Sequence, residues 1–325
     1  MRNGWAESQA QTGILSFSVT SNASAGLSRF SPLLSLVLDS GLEHAERDVS
    51  CKTTMTLTLF DNLVEIERRI GATGRILLFL DFDGTLASIT EEPARAQLSP
   101  AARTALTELS RRHELTVAVI SGRRLSDIRA RVGIPGIIYA GNHGLEIDSG
   151  SWSFRVFEAT RLRPILLSLC RQIRDEVECI PGVLVEDKLL TLSVHYRLAS
   201  DYDAKRVVRL VRAITATFSD WFKVTQGRKV LEVRPRISWD KGTAVTWIRQ
   251  RLGNHNTLAI YVGDDSTDED AFAVLRDGIS VRVGSSDTLA GYELADPDLV
   301  CRFLRWLNSA LDLRIESTRT PSSSG

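Results

Sequence analysis

The chain has 325 residues, enough for two domains, with 40 basic and 40 acidic side chains. A net charge of zero gives no reason to expect a nucleic-acid or acidic-membrane partner, and no apolar run approaches the ~18 residues needed to span a bilayer. The four cysteines (Cys51, Cys170, Cys179, Cys301) form no CxxC pair and the histidines no zinc-ligand spacing, which suits reduced thiols in a cytoplasmic protein without zinc.

Residues 1–54 are serine-rich and show little periodic apolar pattern. They lack the basic start and continuous apolar segment of a secretory signal, and Glu43, Glu46 and Asp48 argue against a transit peptide. They read as a disordered extension, with Met55 as an alternative start. Ile76–Leu80 is a continuous apolar run, the mark of a strand buried on both faces. Ser99-Pro100 makes a helix start, an N-cap followed by proline, for a helix to about Arg112. Leu115–Ile120 and Gly136–Ala140 read as two further buried strands. From 145 to 235 the strands alternate polar and apolar residues ("VLVEDKLLTLSVHYR", "FKVTQGRKVLEVRP"), with helices near 162–177 and 203–218 to cover one face. Leu258–Asp265 and Ile279–Val283 return to the buried type, and the tail 314–325 reads as disordered. Strand–helix–strand alternation indicates a doubly wound, mostly parallel α/β sheet formed by 55–144 and 236–313, with 145–235 inserted as a small α+β domain.

"LLFLDFDGTLASI" (Leu77–Ile89) ends a buried strand with Asp81 and Asp83, one residue apart. Ligands of open parallel sheets bind beyond the carboxyl ends of strands. Two carboxylates there suit a hard divalent cation such as Mg²⁺, a nucleophile for Asp81 and a proton donor for Asp83. Asp and Gly are also common in plain turns, so companions decide. Ser121, Gly122 and Arg123 end the next strand, where a hydroxyl and free N–H groups can grip a phosphoryl group. Lys241 opens a helix in "WDKGTA", and "YVGDDSTDEDAF" crowds Asp264, Asp265 and Asp268 at another strand end.

DFDGT, SGR, the lysine of WDKG and GDDSTDED, in this order, resemble the four motifs of haloacid dehalogenase-like (HAD) phosphatases. Adding "AGNHGLE", "VEDKLLTLSVHYR" and "GRKVLEVRPRISWDKGTA", residues 76–307 are similar to the trehalose-6-phosphate phosphatases. The resemblance implies a Rossmann-like core with an inserted cap, and Mg²⁺-dependent hydrolysis of trehalose 6-phosphate through an aspartyl-phosphate. It gives Asp81 the attack and Asp83 the acid and base roles. It gives the metal to Asp81, the Asp83 carbonyl and Asp264, with Asp265 a ligand or positioner and Asp268 acting through water. Thr85, Ser121 and Lys241 would hold phosphoryl oxygens, with Gly122 and Arg123 beside them. On the cap, Glu186, Lys188, Arg197, Arg228 and Glu232 would read the sugar; Arg228 stands where the family often has lysine. Asn142 and His143 either line that cleft or bond the linker to the cap.

Three alternatives remain at this level, one of them a phosphomutase, which no feature of the sequence separately supports. A cap tuned to sucrose 6-phosphate or a glucosyl- or mannosyl-phosphoglycerate would keep the chemistry, and a silent sugar-phosphate sensor would keep only the fold. All of Asp81, Asp83, Lys241 and Asp264 are present, which disfavours the sensor. The disaccharide phosphate implies a functional link to a separate synthase, since no synthase domain is legible.

Overall fold

The run from Ile76 to Leu80 shows no polar alternation because both of its faces are covered. In the computed structural model, which describes residues 56–90 and 92–319, Ile76, Leu78 and Leu80 pack into one apolar layer and Leu77 and Phe79 into another. The extension 1–54 and Met55 lie outside the described residues.

Along the chain the strands are β1 (Leu57–Thr58), β2 (Arg75–Leu80), β3 (Leu115–Ile120), β4 (Ile138–Gly141), β5 (Glu146–Asp148), β6 (Ser153–Arg155), β7 (Leu184–Asp187), β8 (Leu192–His195), β9 (Phe222–Gly227), β10 (Val230–Pro235), β11 (Thr257–Gly263), β12 (Ile279–Val283) and β13 (Tyr292–Leu294). Among the described residues they form two sheets. The larger runs β1-β13-β12-β11-β2-β3-β4-β5-β6 and the smaller β7-β8-β10-β9. From β1 to β4 the large sheet pairs in parallel, and β5 and β6 close its edge antiparallel. Chain order reverses between β2 and β11, so a crevice opens beyond their carboxyl ends. Helices Lys241–Leu252 and Glu269–Val274 cover one face, and helices that include Pro100–Leu109 and Pro297–Arg319 the other.

The small sheet is antiparallel throughout. Helices Arg163–Val177 and Asp201–Ala216 place Leu169, Ile173, Val207 and Val211 against Val194, Leu231 and Val233 on its inner face. The Ser200 side chain caps the second helix by accepting from Asp203 N–H.

The structure corrects several expectations. The boundary at 145 falls inside the large sheet, because the β5–β6 hairpin pairs with β4. The helix from Pro100 stops at Leu109, and Arg112 instead bonds Asn308 and Asp312 of the last helix. That last helix runs past 313 to Arg319. Helix Leu125–Val132 and strand β13 carried too few periodic apolar residues to be read. Cys170, Cys179 and Cys301 are free thiols, and no helix among the described residues is long and apolar enough to cross a membrane.

Candidate active site

Asp81 leaves β2 at the switch point and is 4% exposed. The chain turns back at Gly84, whose φ of +88° is open to glycine; a Cβ there would lie 2.0 Å from Asp264 Oδ2. That close approach brings Asp264, from the end of β11, against the first motif, where Thr85 donates its hydroxyl to Asp264 Oδ1 at 3.1 Å. Lys241 enters from the opposite side as the first residue of its helix, started by Asp240, which accepts from Thr243 N–H. Its buried ammonium donates to Asp81 Oδ1 at 2.7 Å and Asp268 Oδ1 at 2.6 Å.

Burial pushes the Asp81 carboxyl up against the pull of Lys241, with Asp268 and Asp264 adding to the rise. Burial and the Asp268 charge push Asp264 up to about 7. Burial opposes the charge on Lys241, yet Asp268 and Asp81 hold it well above the usual lysine range. Three acids whose oxygens come within 4.8 Å of one another, against one lysine, concentrate negative charge. A divalent cation fits that donor set. Asp268 has both oxygens engaged by protein donors: Lys241 and the Tyr261 hydroxyl on Oδ1, and Asp265 N–H on Oδ2. Asp81 and Asp264 are therefore the carboxylates best placed to hold an ion.

Asp83, two residues beyond Asp81, is gripped by Arg123, which donates to its two oxygens at 2.5 and 2.7 Å. Arg123 lies over the Phe82 ring and also donates to Asp127. Ser121 sits at the end of β3, buried, its hydroxyl accepting from Arg123 N–H.

The cap closes over this floor. Strand register aligns Glu186 with Ser193, Ser193 with Glu232, and Glu232 with Thr225, so one row crosses the small sheet on a single face. That face turns to the crevice. Together with Asp81, Asp83, Ser121, Gly122, Arg123, Lys241, Asp264 and Asp265 it encloses a cleft of about 350 Å³, also lined by Lys188, His195, Arg197 and Arg228. Lys188 donates to Gly122 O at 3.0 Å and Glu232 Oε1 at 3.2 Å. His143 Nε2 lies 2.6 Å from Glu232 Oε2. Arg197 donates to the carbonyls of Thr90 and Arg228. Burial alone would raise Glu232, but the hydrogen bond with His143 and the charges of Lys188 and Arg234 hold it below the usual carboxylate range. Burial lowers His143 to about 4, with Arg234 and Lys241 assisting and Glu232 opposing.

Asn142, His143 and Gly144 all have positive φ (52°, 58° and 88°), a left-handed turn that costs about 1–2 kcal/mol for each non-glycine residue. The turn aims His143 into the cleft and Asn142 away from it. Thr85 does not line the cleft, and of the two readings of Asn142 the structure matches the bond between core and cap rather than the cleft lining. Asn142 is fully buried and bonds Lys188 O, Thr191 and Glu146, which bolts core to cap. Asp268 lies behind Lys241. Residues missed from the sequence include Thr225 and Gln226 on the cap, Ser266 and Thr267 on the core, and Ile89 and Thr90 after the first motif. The period-two face of Glu232 pointed to Thr225 only once the pairing of β9 with β10 was known.

Comparison with known proteins returns the same family. The trehalose-phosphatase family model matches residues 79–298. Trehalose-phosphate phosphatase B of Arabidopsis thaliana is 36% identical over 271 residues, covering 77% of this chain and 70% of the plant protein. The trehalose-phosphate phosphatase of Mycobacterium marinum is 39% identical over 262 residues, covering 77% of this chain and 66% of that protein. The C-terminal domain of C. albicans trehalose-6-phosphate phosphatase shares the fold, with a TM-score of 0.67 at 23% identity over 78% of this chain and 99% of that one.

Proposed function

The chain belongs to the trehalose-phosphatase family, and from that premise we propose that it hydrolyses trehalose 6-phosphate to trehalose and phosphate, with Mg²⁺, through an aspartyl-phosphate. The observation that carries this reading is the buried Asp81 carboxylate, held by Lys241 at the floor of a cleft roofed by the acidic and basic face of the small sheet.

The Asp81 oxygen not held by Lys241 attacks phosphorus in line, and the bond from phosphorus to the sugar oxygen breaks. Asp83, whose two oxygens both accept from Arg123 in this cleft, gives up one of those bonds as substrate binds, takes a proton from solvent on the freed oxygen, and passes it to the sugar oxygen as trehalose leaves. Asp83 then takes a proton from water as the water oxygen attacks phosphorus. The Asp81–phosphorus bond breaks and phosphate departs. Lys241 and Ser121 hold phosphoryl oxygens, so the site works by placement and by charges already aimed. Asp81, the Asp83 carbonyl and Asp264 would hold the Mg²⁺, with Asp265 beside them, and when bound it would supply positive charge to the phosphoryl group. Asp268 holds Lys241, and Thr85 orients Asp264.

On the cap, the Glu186 and Glu232 carboxylates accept from sugar hydroxyls, and Lys188, Arg197 and Arg228 donate. Glu232 lies at the centre, bonded to Lys188 and His143 in the closed cleft, so the sugar exchanges with those partners.

The test is phosphate release from a panel of sugar phosphates, with Mg²⁺ or EDTA, beside Asp81→Asn. Release that strongly favours trehalose 6-phosphate and is lost in EDTA and in the variant is the expected result. Metal-dependent release favouring another sugar phosphate would overturn the cap assignment alone; no release from any substrate would overturn the whole reading.

A further inference from the structure

Asp268 Oδ1 takes two donors, the Lys241 ammonium at 2.6 Å and the Tyr261 hydroxyl at 2.6 Å. The phosphatase reading gives Tyr261 no task. From this arrangement we infer that Tyr261 is a positioning residue for phosphoryl transfer, acting through Asp268 on the Lys241 ammonium.

Tyr261 lies on β11, three residues before Asp264, fully buried on the face packed against the Lys241 helix. Its ring stacks on Phe79, with centroids 6.4 Å apart, and meets Phe272 edge-on at 5.7 Å. With the ring packed between them, the hydroxyl donates to Asp268. Asp268 is immobilised from the other side. Its Oδ2 accepts from Asp265 N–H at 2.9 Å, and a Cβ on Gly263 would lie 2.3 Å from its Cγ. A carboxylate tethered at both oxygens sets where the lysine head sits.

The lysine needs such a stop. Its four-carbon stem carries about 2 kcal/mol of rotamer entropy, and its ammonium has three donors. Two go to Asp268 and Asp81, which leaves the third for a phosphoryl oxygen. A fully buried carboxylate bonded on Oδ1 by lysine alone would draw the ammonium toward itself and away from Asp81. The phenol shares that oxygen and takes part of its charge. At this fully buried site the sharing is strong, since hydrogen bonds to charged groups strengthen as the dielectric falls. The same bond also satisfies a buried hydroxyl, so the test must separate positioning from stability.

This inference rests on the phosphatase reading, which wild-type phosphate release tests by itself. Given an active wild type, Tyr261→Phe keeps the ring packing and removes one donor. We expect kcat to fall about tenfold with KM within about twofold and the thermal midpoint little changed. In an Asp268→Asn background the phenylalanine substitution should lower kcat no further. Unchanged kcat in Tyr261→Phe, a loss that multiplies with Asp268→Asn, or a Tyr261→Phe protein that does not fold would each overturn the proposal and leave the hydroxyl a structural role.

Discussion

Replacing Asn142 with alanine separates a sugar contact from a structural bolt. Its amide donates to Lys188 O at 2.9 Å and Glu146 Oε2 at 3.0 Å, and accepts from the Thr191 hydroxyl at 2.7 Å. All three bonds are buried, and two of them join the core to the cap. Removing the side chain strands these partners, at about 1 kcal/mol or more each. Alanine must also hold a φ of 52°, which asparagine tolerates better, at about 1 kcal/mol. The sum is about 4 kcal/mol. Urea unfolding of the full chain, followed by tryptophan fluorescence, should therefore show a lower midpoint for Asn142→Ala. Its KM, measured well below the new midpoint, should stay within about twofold of wild type. A wild-type midpoint with a raised KM would refute the bolt and return Asn142 to the sugar.

Calorimetric Mg²⁺ titration should show Asp264→Asn binding at least about tenfold more weakly, while Asp268→Asn, whose parent carboxylate is engaged by Lys241, Tyr261 and Asp265 N–H, stays within about threefold; the reverse order would make Asp268 the ligand. Glu232→Gln should raise KM for the disaccharide phosphate about tenfold with kcat largely kept, since Glu232 touches the sugar side of the cleft; a pure kcat loss would place it in the chemistry. For His143 the folded pKa, about 4, is depressed below an unfolded value near 6.5. The unfolded chain binds the proton first, so this stabilisation is full above pH 6.5 and is lost as pH falls toward 4, by up to about 3 kcal/mol. Asp264, raised to about 7, acts oppositely in the metal-free protein. The readout is therefore the difference between wild type and His143→Asn across that window, and parallel pH curves would show that His143 is not buried neutral.

Local pattern carried much of this protein's design. Ile76–Leu80 announced a doubly covered strand because no polar residue interrupts it, and Asp81 and Asp83 announced a site because carboxylates at a strand end need a partner. Period two also placed Glu186 with Lys188 on one face, a property of any extended chain, but it failed for Arg228 and Glu232, because Arg228 lies in the turn between β9 and β10, where Lys229 has a φ of 60°. Pairing and approach were decided in three dimensions. The sequence alone could not show that β7, β8, β10 and β9 register Glu186, Ser193, Glu232 and Thr225 in one row, because cross-strand neighbours are set by hydrogen-bond register rather than by spacing along the chain. Nor could it show that Arg123 grips Asp83, that Asn142 faces the cap's backbone, or that Asp268 meets Lys241. Arg123 and Lys241 lie 40 and 160 residues from the aspartates they bond, and only packing determines which carboxylate a buried cation meets.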